Sequence, residues 1–155
     1  TIEKSKNGSE LTVKLSGSVE ESVQFEPLIG TFPDPSVKLL IIHTKGISRI
    51  NSVGVKAWIK YFSAVQQSGP AIKLVECSTA IVEQMNLISN FRCGGEVESM
   101  YVPFACMSCK AEQLALFTTQ KLKDSNLELP ELSCSKCNGK SVFDDLPEEY
   151  FSFLV

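Results

Sequence analysis

Two Cys-x-x-Cys pairs constrain this chain of 155 residues more than any other feature of its sequence. The pairs are Cys106-Met-Ser-Cys109 and Cys134-Ser-Lys-Cys137, and residues 110–133 separate them. A Cys-x-x-Cys turn lets two thiolates face one ion, and two such turns supply the four ligands of a tetrahedral Zn²⁺ site. The spacing therefore predicts one structural zinc ion per chain, held by Cys106, Cys109, Cys134 and Cys137.

The residues around these pairs predict a small β module that is similar to a zinc ribbon. Residues 111–119 alternate in the manner of a strand, and residues 126–132 are predicted as its antiparallel partner. Pro147 followed by two glutamates is typical of a helix start, so residues 147–155 are predicted to form a short helix. Its apolar face would dock on the protein itself or serve as a handle for a partner or a second copy.

Two alternatives to the zinc site stay open from the sequence. The four cysteines can form two disulfides, but the numbered chain shows no N-terminal basic segment followed by an apolar stretch, as a signal peptide would. We therefore expect a reducing, cytoplasmic location. A redox dithiol of the thioredoxin type would have one Cys-x-x-Cys at a strand-to-helix junction, not two in a hairpin segment. Cys77 and Cys93 stand alone and are predicted to be small buried hydrophobic residues.

The first hundred residues predict strands that alternate with helices. Asn7-Gly8 predicts a tight hairpin turn, and Leu11, Val13 and Leu15 alternate with polar residues in the strand that follows. Residues 37–44 (VKLLIIHT) have the continuous apolar centre of a strand that is covered on both faces in a parallel sheet.

Three segments are predicted as helices. The clearest repeats apolar side chains every three to four residues over residues 55–65 and ends at Ser68-Gly69-Pro70. Ser78 is the predicted N-cap of the next helix, which runs to residue 88, and residues 20–29 predict a shorter one.

Two more strands, residues 71–76 and 96–102, complete the order ββαβαβαβ, which is typical of α/β folds with parallel strand pairs. The predicted organisation is an α/β domain over residues 1–100 followed by the β module over residues 101–155.

The segment from residue 39 to residue 54 (LLIIHTKGISRINSVG) resembles the signature of STAS domains, the anti-sigma factor antagonist family. In that family a hydrophobic strand leads through a short loop to an Asp-Ser-Ser/Thr-Gly turn, which opens an amphipathic helix. The order of elements over about residues 9–100 also resembles the family. The resemblance implies a STAS-like mixed β-sheet with packed helices.

The resemblance also implies a function: a non-catalytic module for protein–protein interaction in bacterial signalling, whose partner is an anti-sigma-type serine kinase. Many members are switched off by phosphorylation of the first serine of the turn, which is Ser52 here. A phosphate at that helix N-terminus would meet unpaired N–H groups while adding nearly two negative charges to a docking surface. The implied docking surface centres on Ile47, Asn51, Ser52, Val53 and Gly54.

Three residues of this chain depart from the family pattern. Asn51 stands where the family usually has Asp, Val53 where it has a second hydroxyl, and His43 where the strand commonly ends in Asp. Two alternatives follow for Ser52: it is an ordinary N-cap, alone or shared with Asn51, or it is a degenerate phosphosite on a constitutive scaffold.

Composition and charge narrow the remaining functional classes. The net charge is −3 and no arginine follows Arg92, so nucleic acid is not the expected partner, although an adaptor for nucleic acid or the transcription machinery is the second function considered. The longest apolar run, residues 39–42, is too short to cross a membrane. His43 is the only histidine and no Ser/His/Asp pattern accompanies it, so we do not expect an enzyme.

Overall fold

The computed structural model describes residues 1–154 of the chain. A first sheet contains five strands: β1 (Ile2–Asn7), β2 (Glu10–Val19), β3 (Leu39–Ile50), β4 (Ala71–Val75) and β5 (Glu96–Val97). They lie side by side in chain order; β1 is antiparallel to β2, and every other neighbouring pair is parallel. The predicted α/β class with a mixed sheet is confirmed.

Three helices pack with this sheet: α1 (Phe25–Ile29), α2 (Ser52–Gln67) and α3 (Thr79–Leu87). The face of α2 that the periodicity predicts is buried, since Trp58 and Phe62 are each 1% exposed. The Trp58 indole stacks on Phe91 and its Nε1–H donates to the Phe91 carbonyl over 3.0 Å. The buried aromatic face thus fixes α2, and with it the first residues of α2, on the sheet.

A second, antiparallel sheet follows in the order β7-β6-β9-β8. Its strands are β6 (Ser99–Cys106), β7 (Glu112–Thr118), β8 (Leu132–Ser133) and β9 (Lys140–Phe143). Two short helices, α4 (Thr119–Asp124) and α5 (Pro147–Tyr150), and a 3₁₀ turn, Ser152–Leu154, complete the described chain. This is the C-terminal module that carries the four clustered cysteines.

The two sheets share one hydrophobic core. Cys77 and Met100 form a bridge between the ends of β4 and β6, and one cluster of buried side chains continues from the first sheet into the second. Asn86 of α3 donates to the Tyr150 carbonyl over 2.9 Å, and Phe151 is fully buried. The apolar end of the chain therefore docks on the protein itself as far as residue 154, and Val155 lies outside the described residues.

The predicted strand over residues 126–132 is wrong. Asn126 and Leu127 have φ angles of 55° and 64°, which no extended strand accommodates, and the Leu127 N–H closes the end of α4 by donating to Leu122. The antiparallel partner of β7 is β6, and within this stretch only Leu132, the first residue of β8, belongs to a strand.

The predicted strand over residues 96–102 is two strands in different sheets. Its first part, β5, pairs with β4, and its second, β6, pairs with β7 and β9. The Glu98 N–H still bonds to Leu74 of β4, while the Thr119 N–H bonds to the carbonyl of the same Glu98. The chain therefore changes sheet at this residue, and the proposed boundary at residue 100 falls within β6.

Two other elements differ in length from the prediction. The helix predicted over residues 20–29 begins only at Phe25. The strand predicted over residues 37–44 continues to Ile50, and Leu40 and Ile42 are fully buried while Ile41 is half-buried. One face of β3 therefore lies in the core and the other is partly open, rather than both being covered.

The continuation of β3 depends on a close approach to β2. A Cβ on Gly46 would lie 2.6 Å from the Cβ of Ser16, so only glycine fits where the pairing of the two strands is irregular. Because β3 then runs to Ile50, Asn51 alone joins it to α2. Within residues 1–154 no helix combines the length and the apolar character that crossing a bilayer requires.

Candidate functional site

The four cysteines of the two Cys-x-x-Cys pairs meet at one end of the second sheet. Cys106 is the last residue of β6, and Cys134 directly follows β8. The four Sγ atoms lie within 4.8 Å of one another. The sequence prediction named these four residues, and the structure brings them together although the chain between the pairs folds differently from the prediction.

The sulfur spacing fits a tetrahedral ion. Sγ of Cys106 lies 3.5 Å from Sγ of Cys137, and Sγ of Cys109 lies 3.6 Å from Sγ of Cys134. A metal–sulfur distance of about 2.3 Å gives a tetrahedron with edges of about 3.8 Å. All six cysteines of the chain are free thiols, so neither disulfide of the alternative interpretation is present in the described structure.

Backbone N–H groups point at the first sulfur of each pair. Ser108 and Cys109 donate to Sγ of Cys106 over 3.3 and 3.4 Å, and Lys136 donates to Sγ of Cys134 over 3.4 Å. Donors of this kind favour a thiolate over a thiol, which is the form that binds metal. The repeated pattern shows that both turns have the same local design.

These contacts move the cysteine pKa values in opposite directions. The backbone N–H of Cys109 and then that of Ser108 lower the pKa of Cys106 to about 6, and the N–H groups of Cys137 and Lys136 lower that of Cys134. The pKa of Cys109 is raised to about 11: the Ala111 N–H favours its thiolate, but the neighbouring sulfurs and desolvation outweigh it. Four sulfurs this close cannot all carry charge without a cation among them.

The residue after each pair has a left-handed backbone. Lys110 and Asn138 both have φ of 64°, and their N–H groups bond back to Cys106 and Cys134 over 3.2 and 3.0 Å. Gly139 follows, where a Cβ would lie 3.2 Å from Sγ of Cys137 and 3.3 Å from Sγ of Cys106. The space beside the sulfurs is therefore kept free by glycine, and the all-sulfur donor set is compatible with a thiophilic metal ion.

The second candidate site is the amino-terminal end of α2. The Oδ1 of Asn51 accepts from the Gly54 N–H over 2.8 Å, which makes Asn51 the N-cap. The Nδ2 of Asn51 donates to Glu21 over 2.9 Å, and this bond is the main cause of the lowered pKa of the Glu21 carboxyl. Ser52 is the first residue of the helix proper and is exposed.

Two further residues of this predicted docking surface are structural. Ile47 is 2% exposed, so its side chain belongs to the core and the expectation that it meets a partner is wrong. Gly54 is buried, and a Cβ there would lie 2.1 Å from the Val19 carbonyl oxygen, which explains glycine at this position. Val53, in contrast, is 48% exposed. The exposed part of the predicted surface is therefore Asn51, Ser52 and Val53.

The polar contact of His43 is with Glu76 and not with Ser52. Its Nδ1 is 3.2 Å from a carboxylate oxygen of Glu76, the residue that follows β4. Glu76 has φ of 51°, and its N–H donates to the Ser99 hydroxyl oxygen over 2.8 Å. The pair joins the interior of β3, where His43 lies opposite Val75, to the carboxyl end of β4. No bond links His43 to Ser52 in the described residues.

Sequence reasoning missed a groove between α3, the β6–β7 pair and α5. It has a volume of about 760 Å³, and Leu87 and Leu114 line it with exposed side chains. The sequence feature that pointed to the groove was the pair of leucines in β7, Leu114 and Leu116. The strand alternation alone does not show which face of the strand is exposed. The buried residue of β7 is Phe117, so Leu114 and Leu116 lie on the open face.

Comparison of the sequence with models of known protein families finds no match, and comparison with curated proteins finds no match either.

Proposed function

We propose that this chain is a non-catalytic protein-interaction module of bacterial signalling, similar to anti-sigma factor antagonists, with a structural zinc ion in its four-cysteine site. The docking surface lies at the amino-terminal end of α2. The resemblance of residues 39–54 to the STAS signature suggests this function, and the arrangement of that segment, a buried strand leading through one residue into an amphipathic helix, supports it.

The observation that carries the proposal is that Asn51, and not Ser52, caps helix α2. An N-cap serine would have its hydroxyl occupied by a helix N–H, but here Asn51 caps the helix. Ser52 therefore presents its hydroxyl to solvent at the start of a helix of 16 residues. A serine so placed is open to a kinase.

The charges on α2 give phosphorylation a physical effect. The helix carries no acidic side chain, and its two lysines, Lys56 and Lys60, are exposed. Lys56 lies four residues after Ser52, on the same face of the helix. A phosphate on Ser52 would offset the positive charge of both lysines and would stand near Glu21, so a partner that fits the unmodified face would be repelled.

The role proposed for zinc is structural. The ion would connect the β6–β7 turn to the β8–β9 turn through Cys106, Cys109, Cys134 and Cys137. Strands β8 and β9 have only two and four residues, which is too short for a stable pair without such a link. Four cysteines leave no open position for a substrate, and Zn²⁺ is the ion most suited to a closed all-sulfur site.

A pull-down with an anti-sigma-type serine kinase from the same genome tests the proposed function. Wild type and Ser52→Ala should bind equally, while Ser52→Asp should bind at least about tenfold more weakly because it places a charge on the docking face. Ser5→Asp is the matched control, since Ser5 is exposed on the edge strand β1. Equal binding by all four proteins contradicts the phosphoswitch and leaves a constitutive scaffold; binding by none contradicts the kinase as partner.

A further inference from the structure

The groove between α3, the β6–β7 pair and α5 has exposed apolar side chains in its lining. Leu87 and Leu114 are 70% and 58% exposed, and Pro103 and Tyr150 line the same cavity of about 760 Å³. Covering exposed apolar surface with a partner is favourable by about 25 cal/mol for each Å² removed from water. Their position inside a concave surface distinguishes them from scattered surface leucines.

The lining of the groove carries charge of one sign only. Four carboxylates line it and no lysine or arginine does; the four are Glu83, Glu112, Asp145 and Glu149. The net charge of the whole chain is −3, so the four carboxylates of the groove exceed the net negative charge of the protein. A low-dielectric cleft concentrates such a field and attracts cations.

The walls of the groove are held in place. Asn86 of α3 donates to the Tyr150 carbonyl over 2.9 Å, and its Oδ1 accepts from Ser152 and Phe153 over 2.8 and 3.0 Å. The Tyr150 hydroxyl donates to the Tyr101 carbonyl of β6 over 2.6 Å. Because these bonds tie α5 to both α3 and β6, the groove is preformed and a ligand need not order it.

We propose that this groove binds a basic amphipathic peptide segment of a partner protein. Apolar side chains of the segment would cover Leu87 and Leu114, and its lysines or arginines would face the four carboxylates of the lining. The occupant follows from charge complementarity, since an anionic or purely apolar segment would leave the carboxylates unpaired. The groove adjoins the Ser52 surface at Glu83, which also lines a smaller pocket with Asn51, but the inference does not depend on the proposed function.

Fluorescence anisotropy with a labelled synthetic helix of leucine and lysine, with the two residue types on opposite faces, tests the proposal. The variant Glu83→Gln/Glu112→Gln/Glu149→Gln should bind at least about tenfold more weakly than wild type, as should Leu87→Ser/Leu114→Ser. All five positions are exposed, so the variants should keep the fold, which circular dichroism checks.

Matched controls separate the groove from general attraction. Glu3→Gln/Glu10→Gln/Glu128→Gln removes the same charge from exposed sites outside the groove and should bind within about twofold of wild type. A peptide with glutamate in place of lysine should not bind.

Three results would overturn the proposal. The first is a control variant, Glu3→Gln/Glu10→Gln/Glu128→Gln, that binds the peptide as weakly as the groove glutamate variant. The second is a Leu87→Ser/Leu114→Ser variant that binds the peptide as tightly as wild type. Either result shows that the peptide is attracted by charge in general and not by the groove. The third is a wild-type dimer in sedimentation that becomes monomeric in Leu87→Ser/Leu114→Ser, since a second copy of the chain would then cover the groove.

Discussion

Asn51 and Ser52 are both good helix caps, and neighbouring residues of this kind compete for the same N–H groups. The structure gives the cap to Asn51, whose side chain also holds Glu21 through its second polar atom. The sequence predicts a capped helix start here but does not say which residue is the cap. The distinction rests on the β-region backbone of Asn51, with φ of −96° and ψ of 178°, and that depends on where β3 ends.

Substitution of each residue by alanine tests this assignment. Asn51→Ala should lower the free energy of unfolding by about 1 kcal/mol because it removes the cap, whereas Ser52→Ala should change it by less than about 0.5 kcal/mol. Urea unfolding followed by circular dichroism measures both. A larger loss in Ser52→Ala than in Asn51→Ala would show that Ser52 is the cap and that its hydroxyl is not free.

The helices α2 and α3 and the first hairpin could be predicted from the sequence because local signals decide them, whereas α1 is shorter than predicted and α4 lies where no helix is predicted. The apolar period of α2, the Ser78 cap of α3 and the turn between β1 and β2 all appear as predicted. The partner of β7 and the change of sheet at Glu98 could not be predicted, since they depend on contacts between residues far apart in the chain. Strand pairing is a tertiary property.

Single substitutions in the two Cys-x-x-Cys turns test their proposed role in zinc binding. Cys109 is exposed, so Cys109→Ala leaves no cavity. If the proposed zinc ion is bound at one equivalent per chain, this variant should hold well below one. Cys93→Ala is the control and should keep the full equivalent, because Cys93 bonds to Ser63 and not to the sulfur cluster. Elemental analysis of purified protein measures the zinc. Loss of zinc in Cys93→Ala alone would contradict the assigned ligands.

Acid should release the ion from the same turns. Zinc binds thiolates, and protons compete for every sulfur, so affinity falls as the pH is lowered and rises as the pH is raised through the thiol range. A colorimetric zinc indicator measures the release between pH 8 and pH 5. Retention that does not change over this interval would argue against a cysteine site.

The molecule as a whole unites two sheets in one core, and this arrangement has a thermodynamic consequence. Phe151 is fully buried and stacks on Phe143 of β9, while Asn86 of α3 holds the neighbouring residues. Composition indicates two parts because the paired cysteines occur only after residue 100, but it carries no information on whether the parts share a core. Shared burial of apolar surface couples their unfolding.

Phe151→Ala should therefore destabilise both sheets together, by about 3–5 kcal/mol. Trp58 is the only tryptophan and reports on the first sheet, while release of the proposed zinc ion would report on the second. In urea the two signals should change at the same concentration in wild type and should shift together in the variant. Two separate transitions in wild type would show that the sheets are independent domains.

Docking through the amino-terminal end of α2 is tested most directly by the partner's affinity for a matched pair of variants. Val53→Asp and Leu28→Asp each place an acid at an exposed apolar position, with 48% and 50% of the residue exposed, and only Val53 lies beside Ser52. Asp in the first turn of a helix does not destabilise it. Titration calorimetry with the serine kinase should give at least about tenfold weaker binding for Val53→Asp and a change within about twofold for Leu28→Asp. Equal affinities for the two variants would contradict the proposed docking surface.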